Sequence, residues 1–404
     1  MKAKTKTTAT TEEATPALVP KLRFPEFRKK DGWHIKPFEK LFTIGNGRDH
    51  KHLSPGDFPV YGSGGYMRSV DEYLYDGESV CIGRKGTINN PMFLTGRFWT
   101  VDTLFYTHSF KQCLPKFVWA IFQQIDWLKH NEAGGIPSLS KSNIEKIKTA
   151  IPTPAEQQKI AECLSSVDEL MAAQAREVDA LKTHKKGRMQ QLFPREGESQ
   201  PRLRFSSAGD WVVAALPEVA FFQEGPGIMA VDFHAEGVPL VRLAGVSGPV
   251  VTLDGCNYLN PAKVAKKWAH FRLAVNDLLI STSATFGLSS LVAEAAAGAV
   301  FYTGLIRFRP SSGRLDRGYL EIFLGSPHFA RQAETVAVGG GIKHFGPSHL
   351  KQMEIPIPPL PEQQRIATCL SSLDALITAE TQKHEALKTH KRGLMQQLFP
   401  SPIP

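Results

Sequence analysis

Two stretches, one in the middle of the chain and one near its end, carry a stripe of mostly apolar side chains at alternating steps of four and three residues. In the first the positions are Ile160, Leu164, Val167, Met171, Gln174, Val178, Leu181, Lys185, Arg188 and Leu192; in the second they are Ile366, Leu370, Leu373, Ile377, Glu380, His384, Leu387, Lys391, Leu394 and Leu398. This is a heptad seam, and it predicts two long helices. Pro-rich segments at 151–154 and 355–361, with acidic first turns at Glu156 and Glu362, mark their starts, and Pro194 and Pro400 end them. Some 36 residues at 1.5 Å each make a rod of roughly 54 Å. One helix cannot bury such a stripe alone, so the two are expected to pair as a coiled coil. The alternative is that each packs on its own globular half as ordinary core.

The regions before the helices follow a different rule. Across 33–150 and 211–354, short runs rich in Val, Ile, Phe, Tyr and Thr are broken every few residues by Gly, Pro, Asn or Asp. Such runs predict strands and turns, as at Pro59-Val60-Tyr61, Ser79-Val80-Cys81-Ile82, Pro239-Leu240-Val241-Arg242-Leu243 and Asp277-Leu278-Leu279-Ile280. Shorter helices are expected at 116–131 and 317–336.

The chain also repeats itself. Residues 156–194 align without a gap on 362–400, at an offset of 206, with 25 of 39 positions identical. The offset also places Gly134-Gly135-Ile136 on Gly340-Gly341-Ile342 and Ile151-Pro152 on Ile357-Pro358. A looser echo sets Pro20-Lys21-Leu22-Arg23-Phe24 and Trp33 beside Pro201-Arg202-Leu203-Arg204-Phe205 and Trp211. Between these edges the halves share almost no sequence. Two like scaffolds with unlike contents imply one task performed on two targets.

The 404 residues carry 48 Lys+Arg against 39 Asp+Glu, a net charge of +9, which suits a nucleic-acid partner without requiring one. No apolar run approaches the 18 or so residues of a membrane span, and 1–19 lacks the apolar core of a signal peptide, so a flexible N-terminal tail on a soluble protein is expected. The five scattered cysteines form no Cys-x-x-Cys pair, which fits a reducing cytoplasm.

Enzyme signatures are missing. There is no G-x-x-x-x-G-K-[ST] phosphate loop, and the clusters at Gly45, Gly62 and Gly339 are turns rather than a dinucleotide fingerprint. Asn260-Pro261 lacks the aromatic of an adenine-methylating motif. His50-Lys51-His52 has no acidic or Cys partner for a metal, and Ser63 and Ser281 have no nucleophile elbow. A non-catalytic protein with no metal is expected.

Two dissimilar halves, each followed by a near-identical helix bearing P-x-E-Q-Q-[KR]-I-A and L-K-T-H-K-[KR]-G-x-M-Q-Q-L-F-P, resemble the specificity subunit of type I restriction-modification systems, from about Pro20 to Pro400. Inside the halves, 47–51, 59–65, 82–88, 224–228 and 339–344 are also similar to that family. The resemblance implies an α+β fold. Two mixed target-recognition domains, 20–150 and 195–354, are joined by spacer helices at 151–194 and 355–400 that pair as an antiparallel coiled coil, with 401–404 a tail. It implies that each domain reads one part of a split, asymmetric duplex DNA site. It further implies that the helices dock two methyltransferase subunits, and through them restriction subunits. No cofactor is expected on this chain; S-adenosylmethionine and ATP belong to the partners.

Base edges and phosphates call for Arg, Lys and small polar donors in Gly-rich turns. On that chemistry the candidates are Arg48, His50, Lys51, Ser63, Arg84, Lys85 and Thr87 in the first domain, and Lys263, Lys266, Lys267, Thr282, Ser283, Thr285, Lys343 and His344 in the second. The aromatic pairs Phe98-Trp99 and Phe221-Phe222 are expected in the core, because a duplex offers no splayed bases to stack on. Two rivals remain: a specificity subunit serving another methylation-linked defence system, and a coiled-coil adaptor that binds proteins instead of DNA.

Overall fold

The computed structural model describes residues 18–195, 197–205, 209–282, 289–336 and 346–400. They form two compact units, one drawn from residues 1–175 with 382–404 and the other from 176–381. The long helices, Pro154–Leu192 and Leu360–Leu398, are therefore each shared between the two. Each unit holds one globular domain, the start of the helix that follows it and the end of the other helix.

In the first unit the strands are β1 (His34–Pro37), β2 (Thr43–Asn46), β3 (Phe58–Gly62), β4 (Gly65–Val70), β5 (Tyr75–Asp76), β6 (Ser79–Gly83), β7 (Met92–Leu94), β8 (Arg97–Thr100), β9 (Leu104–His108) and β10 (Lys148–Ile151). They make two four-stranded sheets, β2-β9-β6-β7 and β4-β3-β8-β5, and a β1-β10 pair. The second unit has β11 (Val212–Ala215), β12 (Ala220–Glu224), β13 (Val238–Val241), β14 (Asn257–Leu259), β15 (Leu278–Ser281), β16 (Ser289–Leu291), β17 (Val300–Phe301), β18 (Leu305–Pro310) and β19 (Glu354–Ile357). Its sheets are β12-β18-β15-β16 and β14-β13-β17, with a β11-β19 pair.

The topology is the same except at one edge, where β5 is matched in the second unit only by a single bridge between Arg272 and Val300. The parallel contact β3-β8 recurs as β13-β17. Bonds between turns recur too: Gly47 N donates to Leu104 O and Gly225 N to Leu305 O, while Val101 N donates to Tyr61 O and Tyr302 N to Val241 O. Both glycines are forced by close approach. A Cβ would stand 1.9 Å from Val101 O at Gly47 and 2.2 Å from Tyr302 O at Gly225. The halves that look unrelated in sequence are thus two copies of one scaffold.

The four strand runs expected from the sequence lie in or overlap β3, β6, β13 and β15. The helix expected at 116–131 is Pro115–Phe122 followed by a short turn at Trp127–His130, and the one at 317–336 is two helices, Arg317–Leu324 and Pro327–Val336, parted at Gly325-Ser326. Phe98 and Trp99 are buried and Phe222 packs on the core. Phe221 departs from the expectation: it is 40% exposed, with the Arg307 and Arg309 guanidinium groups over its ring.

The seam has two fates. Its ends are domain core: Ile160 and Leu164 share a cluster with Trp33, Phe117, Met395, Leu398 and Phe399, and Ile366 and Leu370 share one with Trp211, Tyr319, Met189, Leu192 and Phe193. Phe117 stacks on Phe399 at 5.3 Å and Tyr319 on Phe193 at 5.7 Å. Burying an aromatic or aliphatic side chain of this size stabilises by about 1.5–3 kcal/mol. Leu373 and Leu394 pack half-buried against the same clusters; farther along, Val167 and Val178 are buried, whereas Met171, Leu181, Ile377 and Leu387 are half-buried. Here Asp168 pairs with Lys391 at 2.7 Å in the first unit, and Asp374 with Lys185 at 2.5 Å in the second. Within each unit the start of one helix lies beside the end of the other and the salt bridge lies inward of both, so the segments run antiparallel. The 206-residue offset carries one ion pair onto the other.

Each helix is also locked to its domain by the first turn, where the favourable dipole end accepts an acid. Glu156, 1% exposed, takes hydrogen bonds from Arg23 Nε at 2.7 Å, Arg23 Nη2 at 2.8 Å and Trp33 Nε1 at 3.2 Å. Glu362 takes the same bonds from Arg204 and Trp211. The next residue is a second clasp: Gln157 accepts from Leu114 N and donates to Gln112 O and Pro152 O, and Gln363 accepts from Asp316 N and donates to Arg314 O and Pro358 O. The P-x-E-Q-Q motif is therefore a buried bracket.

Candidate nucleic-acid interface

In the first unit three turns converge where β2 and β6 end and β9 begins. Arg84 N donates to Thr103 O, Leu139 N to Arg84 O and Gly86 N to Pro137 O, so the loop after β6 is zipped between the β8–β9 turn and the 137–139 segment. Gly86 makes the bend at φ +91°, a conformation that favours glycine. Between these pieces opens a cleft of about 730 Å³, lined among others by Asn46, Arg84, Lys85, Asp102, Ser140 and Lys141.

One wall is stiffened by Glu132. Its Oε1 accepts from Ser140 N, Ser140 Oγ and Asn143 Nδ2 at 2.7–3.0 Å, and the Ser140 bonds hold this carboxyl below its usual range. Ser140 in turn caps the helix Lys141–Lys146. Lys141 lies 3.7 Å from Glu145, and Arg84 is exposed, its Nη1 3.5 Å from the Asp102 carbonyl. The cleft thus presents cationic and amide donors together with two exposed carboxylates, Glu132, which is engaged by Ser140 and Asn143, and Asp102.

Of the residues expected to meet DNA, Arg84 and Lys85 line this cleft. Arg48 is exposed two residues beyond Asn46, its backbone pinned by Thr100 O and Trp99 Nε1. Lys51 and Thr87 are exposed on neighbouring turns, and Ser63 Oγ is close enough to touch a side chain placed at Gly86. His50 is different: both ring nitrogens are buried without a hydrogen-bond partner, so its ring offers no donor to an approaching duplex.

In the second unit Lys266 and Lys267 are exposed, but Lys263 is paired with Asp232 and lies 5.5 Å from the Trp268 ring centroid. Thr282 is 3% exposed and its hydroxyl donates to Gly304 O, which takes it off the surface. Ser283, Thr285, Lys343 and His344 lie outside the described residues.

Shared topology gives the second domain's counterparts of the cleft residues. Asn46 opposes Phe105 as Glu224 opposes Ile306, so Asn46 corresponds to Glu224. Arg84 N bonds Thr103 O as Thr282 N bonds Gly304 O, so Arg84 corresponds to Thr282 and Asp102 to Thr303. Thr303 Oγ1 lies 3.5 Å from Glu224 Oε1. Sequence reasoning passed over Asn46, Asp102 and Lys141. Asn46 lay in a Gly-Asn-Gly segment assigned to a turn, and an acid was not sought in a basic interface.

Among the described residues no group of three His, Cys, Asp or Glu side chains is placed to hold a metal, and no helix is long and apolar enough to cross a membrane.

The family model of the type I restriction modification DNA specificity domain matches this chain twice, at residues 30–182 and 235–389. The type I restriction enzyme MjaVIII specificity subunit of Methanocaldococcus jannaschii is 27% identical over 345 residues, 82% of this chain and 78% of that one. The putative MjaX specificity subunit of the same organism is 25% identical, covering 66% of this chain and 61% of its own length. In fold, the crystal structure of the S subunit of a type I restriction-modification system from M. genitalium superimposes with a TM-score of 0.62 at 14% identity, covering 96% of this chain and 100% of that one.

Proposed function

Because the chain belongs to the type I restriction modification DNA specificity family, we propose that it reads a bipartite, asymmetric duplex DNA site, one half with each domain, for a methyltransferase that acts on adenine. The observation that carries this reading is the pairing of one scaffold with two chemistries. The two domains share one sheet topology, β5 apart, yet the exposed Asn46 and Asp102 of one stand where Glu224 and Thr303 stand in the other, and the exposed Arg84 has only the buried Thr282 as its counterpart. A repeated fold with altered donors and acceptors suits two unlike half-sites read by base edges. The chain itself is a non-catalytic recognition subunit, and S-adenosylmethionine and ATP are bound by its partners.

Partner docking has its own support. Leu170 and Leu376, 57% and 49% exposed, occupy equivalent places in the repeat. On the same helix faces, Ser166, Ala173 and Ala180 are exposed and identical to Ser372, Ala379 and Ala386. Nearby exposed positions diverge, as Glu162 to Thr368 and Glu169 to Ala375. An exposed leucine kept in both copies fits one kind of partner taken twice, here two methyltransferase subunits, with the assembly working in the cytoplasm.

Co-expression with the candidate methyltransferase and mapping of modified adenines tests this. Two unlike half-sequences at a fixed gap are expected, with binding that weakens steeply from about 50 to 200 mM salt. A complex that yields no motif, with binding indifferent to salt, would instead favour the protein adaptor.

A further inference from the structure

We propose that Asp102 is a specificity-determining residue of the first domain, its carboxylate accepting a hydrogen bond from the exocyclic amino group of a cytosine or adenine, and that Thr303 holds the equivalent station in the second domain. The proposal rests on the DNA-reading function above.

Asp102 stands at the rim of the cleft whose other members include Arg84, Lys85 and Lys141. Among the described residues no Lys, Arg or His forms an ion pair with its carboxylate, and the side chain is exposed. The nearby Arg84 Nη1 is directed at the Asp102 carbonyl and not at the acid. A free carboxylate costs the unbound protein nothing, since water solvates it. Once phosphates surround the cleft, the same charge opposes binding unless a donor meets it. Duplex DNA offers few: in the major groove the donors are the amino groups of cytosine N4 and adenine N6, whereas guanine and thymine present acceptors. A carboxylate therefore accepts two bases and repels two.

The backbone that carries this side chain is also held in place. Val101 N donates to Tyr61 O, Leu104 N to Val101 O, and Thr103 O accepts from Arg84 N, so the β8–β9 turn is tied on both sides of Asp102. Thr303 lies on the matching turn, where Tyr302 N donates to Val241 O and Thr282 N to Gly304 O. Its hydroxyl can donate or accept, so it imposes a different preference from the same place. Asp102 thus reads by exclusion as well as by attraction.

The test uses the full chain assembled with its methyltransferase, mapping methylated sites for the wild type, D102N, D102A and T303V. The wild-type map first fixes both half-sites. D102N and D102A are expected to relax one position of one half-site, where the wild type prefers cytosine or adenine, by about tenfold, with the other half-sequence intact. T303V is expected to alter one position of the other half-site and nothing in the first. An intact second half-sequence also reports that the variants are folded. If D102N and D102A keep the wild-type motif, or only raise binding to all sequences alike, Asp102 merely repels phosphate and the assignment is wrong. A wild-type complex that yields no motif overturns the DNA-reading function itself, and the proposal with it.

Discussion

Replacing Glu156 by Gln should strike the bracket that fixes the first domain to its helix. The carboxylate is 1% exposed and Arg23 is 7% exposed, so water cannot take over the charge. Gln fills the same volume and keeps an acceptor for Trp33, but it loses the negative charge and points an amide N–H at the guanidinium. Arg23 retains Lys30 O and Asp31 O as acceptors. Those two carbonyls place the loss at the lower end of the about 3–5 kcal/mol that breaking a buried pair costs, so about 3 kcal/mol. For a unit near 200 residues this lowers Tm by about 6–12 °C. Scanning calorimetry and urea titration of the full chain measure it. A double-mutant cycle with Arg23→Met separates the pair from general damage: the neutral Met/Gln combination should recover part of the loss, with a coupling of about 2 kcal/mol. An E156Q shift under about 2 °C, or strict additivity in the cycle, would refute the claim that this ion pair holds the junction.

Asp168→Asn should cost about 1 kcal/mol, the upper end for an ion pair that is only partly buried, and Lys391→Met more, because Lys391 also lies 5.1 Å from the Trp119 ring centroid and donates to Gln123. The charge-swapped chain, Asp168→Lys with Lys391→Asp, should recover only partly in urea midpoint; full recovery would exclude the Trp119 contribution. Circular permutation should be tolerated: Leu22 N bonds Gln397 O as Leu203 N bonds Gln191 O, both at 2.9 Å, so a chain joined from Pro400 to Pro20 by a copy of the 195–200 linker and opened between Arg195 and Pro201 should fold and give the same methylation motif. Loss of either half-sequence would show that the two junctions differ. Burial first, and then Lys141 or Arg331, holds His108 and His328 below the ordinary imidazole range. The folded state thus favours their neutral form, so their contribution is complete above pH of about 6.5 and is lost as pH falls below it. Urea midpoints should drop between pH 7 and 5.5, and less so in His328→Phe; an equal drop in that variant would remove His328 from the account.

The helices were legible in the sequence because their signal is linear. A seam that returns every three or four residues, proline at its boundaries and 25 identities at one offset need no knowledge of distant partners. From those features the helices, the duplication and the resemblance to one family all followed. What the halves share was hidden, because a strand scaffold constrains few residue types: Gly47 and Gly225 are obligatory for carbonyls more than fifty residues away, and most other positions need only be apolar on one side. The fate of individual charges was hidden for the same reason. Lys263 is neutralised by Asp232 and Thr282 is spent on Gly304, contacts set by chain folding and not by spacing. Asn46 and Asp102 became parts of one cleft only when turns far apart in sequence were brought to the same sheet end. Local periodicity fixes an element by itself, whereas the exposure and pairing of a side chain depend on whatever the rest of the chain packs against it.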